Sequence, residues 1–210
     1  MKFFVGAYAA SPCHTLWNPT AEQAYFEGLA ESKLIQGLEL PFFGQLHRFD
    51  SAWLLDHLPK HWNHIITCIP GTMEQVSKQS LFGLASGDRE GRKSALEFTR
   101  RALECAQELN EKMGRLAVSG IEIHSAPTLG IAGASSSPEY FSDSLSEILR
   151  WDWQGAAILV EHCDAYMETQ APAKGFLSIE DEIVAITSLS EPDRKKVSLL
   201  INWGRSAIEG

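Results

Sequence analysis

Apolar residues along this chain fall into two alternating kinds of run, one short and nearly continuous, the other spaced at three and four residues. The short runs are Lys2 to Ala7, Ile35 to Pro41, His64 to Pro70, a segment within Leu116 to His124, Ala157 to Cys163, and Val197 to Asn202. Continuous apolar runs of this length predict strands covered on both faces. The spaced runs predict helices. Thr20-Ala21-Glu22-Gln23 reads as a capping box opening a helix with Ala24, Tyr25 and Leu29. Asp50 caps a helix through Leu58, closed by Pro59, and a short helix is expected from Met73 to Gln79. The longest runs from about Asp88 to Met113, with Leu96, Thr99, Leu103, Ala106 and Leu109 on one stripe and Arg92, Arg100 and Glu108 left for water. Ser137-Pro138 opens a helix with Phe141, Leu145 and Ile148 buried. Ser178 opens another through about Ser188, and Gly204 to Gly210 starts the helix of the sixth strand–helix unit.

Strict strand–helix alternation means a parallel sheet with right-handed crossovers, either open or closed into a barrel. No strand is followed by a glycine-rich phosphate loop, which counts against nucleotide-binding sheets. A closed eight-fold barrel takes about 250 residues; this chain of 210 residues provides six units. The expected fold is therefore α/β, a parallel (β/α) barrel of TIM type, incomplete at about six of eight units. The Gly- and Ser-rich stretch Leu129 to Ser137 reads as an active-face loop, so residues 1–210 form one domain. The two edge strands would be apolar and unpaired, which predicts a truncated product covered by dimerisation or strand exchange, a homo-oligomer.

A net charge of -9 argues against nucleic acid and anionic membranes as partners. Cys13, Cys68, Cys105 and Cys163 are scattered, as reduced thiols are. Met1 to Ala10 has one basic residue and too short an apolar core for a signal peptide, and Pro12 precedes Cys13 where a lipoprotein cleavage site would not allow it. No window approaches a membrane span, so a cytoplasmic location is expected.

Gly83-Leu84-Ala85-Ser86-Gly87-Asp88-Arg89-Glu90-Gly91-Arg92-Lys93-Ser94 is followed by Ala102-Leu103-Glu104-Cys105-Ala106-Gln107-Glu108-Leu109 and by a strand ending in His124. With Gly37-Leu38-Glu39-Leu40 and Val160-Glu161, this ordered set resembles the xylose isomerase-like barrel superfamily of sugar-phosphate isomerases and epimerases, inosose dehydratase-type enzymes and endonuclease IV. The likeness is nearest to an uncharacterised bacterial branch whose members are usually longer. It implies a divalent metal (Mn, Mg, Co or Zn) at the carboxyl face, with Glu161 as one ligand and as the catalytic proton carrier. Asn202 falls where an Asp ligand is expected, a departure that removes a charge. The two ligands from the seventh and eighth strands have no counterpart here, so the fragment should hold metal poorly.

From the residues themselves, Glu161 closes a strand where chemistry collects, or only caps it or pairs with a buried cation. Alternation puts Leu159, Glu161 and Cys163 on one face and His162 under a helix. Asp164 turns back to the site or caps the next loop. Glu122 and His124 share a face, and His124 is a substrate contact or a satisfied core histidine. Glu39 orients a site residue or is a buried, paired acid. His14, Trp17, Phe43 and His47 suit a sugar pocket or cover a helix. Arg205 could hold a phosphate or carboxylate, or stay solvated. His57 and His61 have metal-pair spacing, but Pro59 breaks the helix between them.

For a complete relative the resemblance implies a sugar isomerase or epimerase acting on a ketose, keto-sugar or sugar phosphate, with the metal polarising a carbonyl while Glu161 or its missing strand-eight counterpart moves a proton. Two rivals stand beside it. One is a metal-dependent abasic-site nuclease, disfavoured by the acidic chain and by Ile69-Pro70 where such enzymes carry a metal-binding His. The other is a non-catalytic carbohydrate-binding or assembly protein, favoured by Asn202.

Overall fold

A computed structural model describes residues 3–168 and 172–209. Six strands lie in one sheet in chain order, every neighbouring pair parallel: β1 Phe3–Val5, β2 Ile35–Pro41, β3 Asn63–Thr67, β4 Val118–Ile123, β5 Ala157–His162 and β6 Val197–Ile201. Sequential order without a reversal point is the topology of a barrel wall rather than of a doubly wound sheet. The sheet curls into a half-barrel with helices between its strands. Around it run α1 Pro19–Ala30, α2 Ser51–His57, α3 Ile69–Lys78, α4 Arg89–Met113, α5 Pro138–Ile148, α6 Ile179–Thr187, α7 Glu191–Arg194 and α8 Trp203–Glu209. No helix among the described residues is long and apolar enough to cross a membrane.

The two faces of the sheet differ as alternation requires. Leu38, Leu40, Ile66, Ile121, Ile123, Ile158 and Val160 are buried toward the helical layer, where α4 packs Ala95, Phe98, Ala102, Leu103, Ala106 and Leu109. The intervening residues, Glu39, Ile65, Thr67, Glu122, Leu159 and Glu161, share the concave face. Registers pair Thr67 with Glu122, Glu122 with Leu159, and Glu161 with Leu200, so the acids stand at neighbouring heights.

Several boundaries differ from the sequence reading for local reasons. Helix α1 starts at Pro19 under Asn18, whose side chain accepts from the Ala21 amide at 3.1 Å, because proline at the first position loses no helical hydrogen bond. Strand β3 ends at Thr67 rather than Pro70, since Pro70 sits in the first turn of α3 where its missing N–H costs nothing. Cys163 and Asn202 lie just past their strands, and α7 adds a turn at Ser190-Glu191-Pro192, a cap-plus-proline signal. The expected caps Asp50, Ser137 and Ser178, and with them Asp88 ahead of α4, bond amides three residues on, and Gly114 ends α4 at φ +67°. Lys2 and Gly210, the outer limits of the first strand and last helix as read from sequence, lie outside the described residues.

Candidate active site on the concave face

Strands β4, β5 and β6 bring the central group together at their carboxyl ends. His124 Nε2 lies 2.6 Å from Glu161 Oε2, and Asn202 Nδ2 donates to Glu161 Oε1 at 2.7 Å. Both carboxylate oxygens are thus engaged, and the carboxylate is oriented by two strands other than its own. Burial by itself would raise the pKa of Glu161. The His124 hydrogen bond and charge, the Asn202 amide and the Arg205 guanidinium outweigh it and hold the group below the usual glutamate range. His124 is 2% exposed, and its Nδ1 has no hydrogen-bond partner.

Two more acids on the same face behave oppositely. Glu122 is pushed up to about 8, first by burial and then by the charges of Glu39 and Glu161, with Thr67 offering a partly compensating hydrogen bond. Glu39 is raised mainly by burial, and it accepts from the Tyr8 hydroxyl at 3.0 Å. Three carboxylates on one concave surface cannot all ionise cheaply. Glu161 keeps the charge, and Glu122 keeps a proton at neutral pH.

The sequence-predicted residues divide into two groups. Glu161, His124 and Asn202 meet, and Arg205 stands close enough to act on the carboxylate. The Arg205 amide donates to both the backbone and side-chain oxygens of Asn202, at 2.9 and 3.2 Å. His14, Trp17 and His47 sit apart, beyond β1 and β2. His14 is exposed and lines a shallow cavity with Tyr8, Glu22 and His47. His47 accepts the Asp50 amide on Nδ1 at 2.8 Å, which puts its proton on Nε2, 3.2 Å from Glu22 Oε2. Trp17 Nε1 donates to the same carboxylate at 3.1 Å, and its ring stacks on Phe49 with centroids 6.2 Å apart. With these polar atoms already partnered, His47 lines the cavity while Trp17 packs edge-on against the His47 ring, and Arg48 covers the Phe43 ring from 4.4 Å. Asp164 caps the following loop: its Oδ2 accepts from the amides of Ala173, Lys174 and Gly175. His162 points to the helical layer, 2.8 Å from Glu182 Oε2 on α6, and Ser125 Oγ donates to Glu182 Oε1 at 2.5 Å. His57 is stacked on Trp53 at 4.3 Å, with Nδ1 at the Trp53 carbonyl, so it does not pair with His61 for a metal.

Sequence reasoning overlooked Tyr8, Glu22, Glu182 and Lys174. Glu22 looked like a helix-capping acid, and only the fold shows three side chains, Ser11, Trp17 and His47, converging on it. Lys174 sits in the β5–α6 loop, half-buried, its pKa lowered by burial and then by Arg205. No spacing marks any of these.

One group among the described residues has metal-ligand geometry: His124, Glu161 and Cys163, whose ligand atoms lie within 4.8 Å of one another, all buried. The donors fit a divalent ion through nitrogen, oxygen and sulfur. Asn202 fits less well, since its nitrogen already serves Glu161 and its oxygen accepts the Arg205 amide.

Residues 4–210 match the family model described as Domain of unknown function (DUF4862). The chain belongs to that family. An uncharacterized protein of Salmonella typhimurium is 35% identical over 209 residues, 99% of this chain and 64% of that protein. The chain thus spans less than two thirds of the curated relative it matches. Among solved structures, a crystal structure of AP endonuclease, family 2, from Brucella melitensis superposes with a TM-score of 0.56 at 16% identity, covering 88% of this chain and 64% of that one. At that identity the likeness speaks for fold. The DUF4862 chain has a parallel α/β architecture of TIM-barrel type.

Proposed function

We propose that the concave face performs metal-assisted proton transfer at a carbon beside a carbonyl, in the manner of a sugar isomerase or epimerase, on a ketose, keto-sugar or sugar phosphate. The observation that carries this reading is the Glu161–His124 pair at 2.6 Å, with Asn202 on the other carboxylate oxygen. A base must be ionised, oriented and shielded from bulk water, and Glu161 meets all three conditions. A few residues away along the same face, Glu122 is held protonated. Carboxyls driven apart in pKa by their surroundings are the usual division into base and acid. Arg205 and Lys174 add positive charge near Glu161, which suits an anionic substituent on the substrate. Glu161, with His124 and Cys163, would hold the divalent ion, which when bound supplies charge stabilisation to the carbonyl oxygen.

Proton NMR in deuterium oxide, with zinc or manganese added, tests this directly. The chain should exchange the hydrogen beside the carbonyl in at least one sugar of a ketose, keto-sugar and sugar-phosphate panel. Glu161→Gln should slow that exchange by about 10²–10⁴-fold. Absence of exchange across the panel, together with calorimetric sugar binding that ignores metal, would favour the carbohydrate-binding alternative. The name of the Brucella melitensis structure supplies a second reading, an abasic-site nuclease. Incision of abasic DNA by this chain with zinc would establish it, against the expectation from a net charge of -9.

A further inference from the structure

The end of β5 carries a third donor type beside the imidazole and the carboxylate. Cys163 follows Glu161 by two residues, and the period of an extended chain returns its side chain to the same concave face. It is 2% exposed, and its sulfur lies within 4.8 Å of the ligand atoms of His124 and Glu161. Where the barrel resemblance expects a second acid, Asn202 is neutral, and its amide already donates to Glu161 and accepts from the Arg205 backbone N–H. Of the three clustered side chains, Glu161 and Cys163 are the two that can be anionic. His124 Nε2 and Glu161 Oε2 face each other 2.6 Å apart, so an ion held by both would take the place of the hydrogen bond between them.

We propose that Cys163 takes over the role of the missing acid as the second anionic ligand, so that this site selects a thiophilic ion of the zinc class over magnesium or calcium. This rests on the metal-assisted reading above and adds to it the third ligand and the class of ion. Hard cations prefer all-oxygen shells, whereas thiolate, imidazole and carboxylate together match zinc or cobalt. On binding, the S–H bond of Cys163 is replaced by a sulfur–metal bond, the proton passes to solvent, and no electron is transferred.

Cobalt(II) added to the reduced 210-residue chain is the probe. The expected result is a near-ultraviolet sulfur-to-cobalt charge-transfer band. It should be kept in Cys105→Ser and lost in Cys163→Ser, with circular dichroism of both variants unchanged. Calorimetry should show zinc binding weakened about 10–100-fold in Cys163→Ser, and excess magnesium should not displace cobalt. Cobalt bound with visible bands but no charge-transfer band would overturn the thiolate ligand and leave the proton-transfer reading standing. Failure of both cobalt and zinc to bind would overturn the site itself. A charge-transfer band in a chain that exchanges no sugar hydrogen would support the site and count against the catalytic reading alone. Should Cys163→Ser fail to fold, Cys163→Ala and the pH dependence of the wild-type band decide the same question.

Discussion

At the scale of single residues, the concave face is a problem in placing negative charge. Burial raises all three of Glu39, Glu122 and Glu161, the Glu161 charge raises the other two further, and only Glu161 has enough donors around it to end below the ordinary range. Glu122 carries the opposite signature, and it titrates near neutrality. Its folded value of about 8 exceeds the ordinary 4.5, so the folded state binds its proton more tightly than the unfolded chain. The stability it contributes is full below about pH 4.5 and is lost as the pH rises through about 8. Glu122→Gln should therefore match the parent's melting temperature near pH 5 and exceed it at pH 9. A gap that stays constant across that range would contradict the assignment. His124→Ala should leave Glu161 one donor short, and with it lower the exchange rate more than substrate affinity, a difference visible as a fall in kcat at similar KM.

Elements hold these residues in place from behind. Glu182 on α6 receives Ser125 from the loop after β4 and His162 from β5, so a single buried acid ties a helix to both site strands. Its own pKa is raised, mainly by burial, though both hydrogen bonds oppose that. Glu182→Ala leaves His162 and Ser125 without that partner in a dry layer. The expected cost is about 3–5 kcal/mol, read as a lower urea midpoint at unchanged m. Gly83 is a second support: a Cβ there would lie 2.0 Å from the Ala126 carbonyl oxygen, two residues beyond His124. Gly83→Ala should cost about 1–3 kcal/mol and shift the His124 ring signals in NMR, because the backbone, not a flexible side chain, must move. A silent substitution would show that the loop yields freely.

For the whole molecule, the half-barrel has β1 and β6 at its margins, each hydrogen-bonded to one neighbouring strand among the described residues. Ile201 in β6 is 43% exposed and Trp203 just after it 83%, and Ile183 and Val184 on α6 are exposed as well. Free edges flanked by apolar side chains favour pairing with another chain. We expect the 210-residue chain to self-associate in light scattering at micromolar concentration, and Trp203→Glu to shift it toward monomer. A parent chain that stays monomeric on concentration would rule this out.

Much of this was already legible along the chain. Continuous apolar runs separated by capped helices dictate a parallel α/β sheet, because such strands are stable only with helices over them. Period-two alternation sends Glu161 and Cys163 one way and His162 the other, a consequence of backbone geometry that holds before any folding. Caps at Asp50, Ser137 and Ser178 were readable for the same local reason. Convergence was not readable. Glu161 meets His124 across 37 positions and Asn202 across 41, while Glu22 meets His47 across 25, and no local rule links positions so far apart. Whether an acid is ionised, as Glu161 is, or protonated, as Glu122 is, depends on which donors the curled sheet brings to it. Local geometry chose the face for each side chain, and tertiary packing chose its neighbours and so its charge.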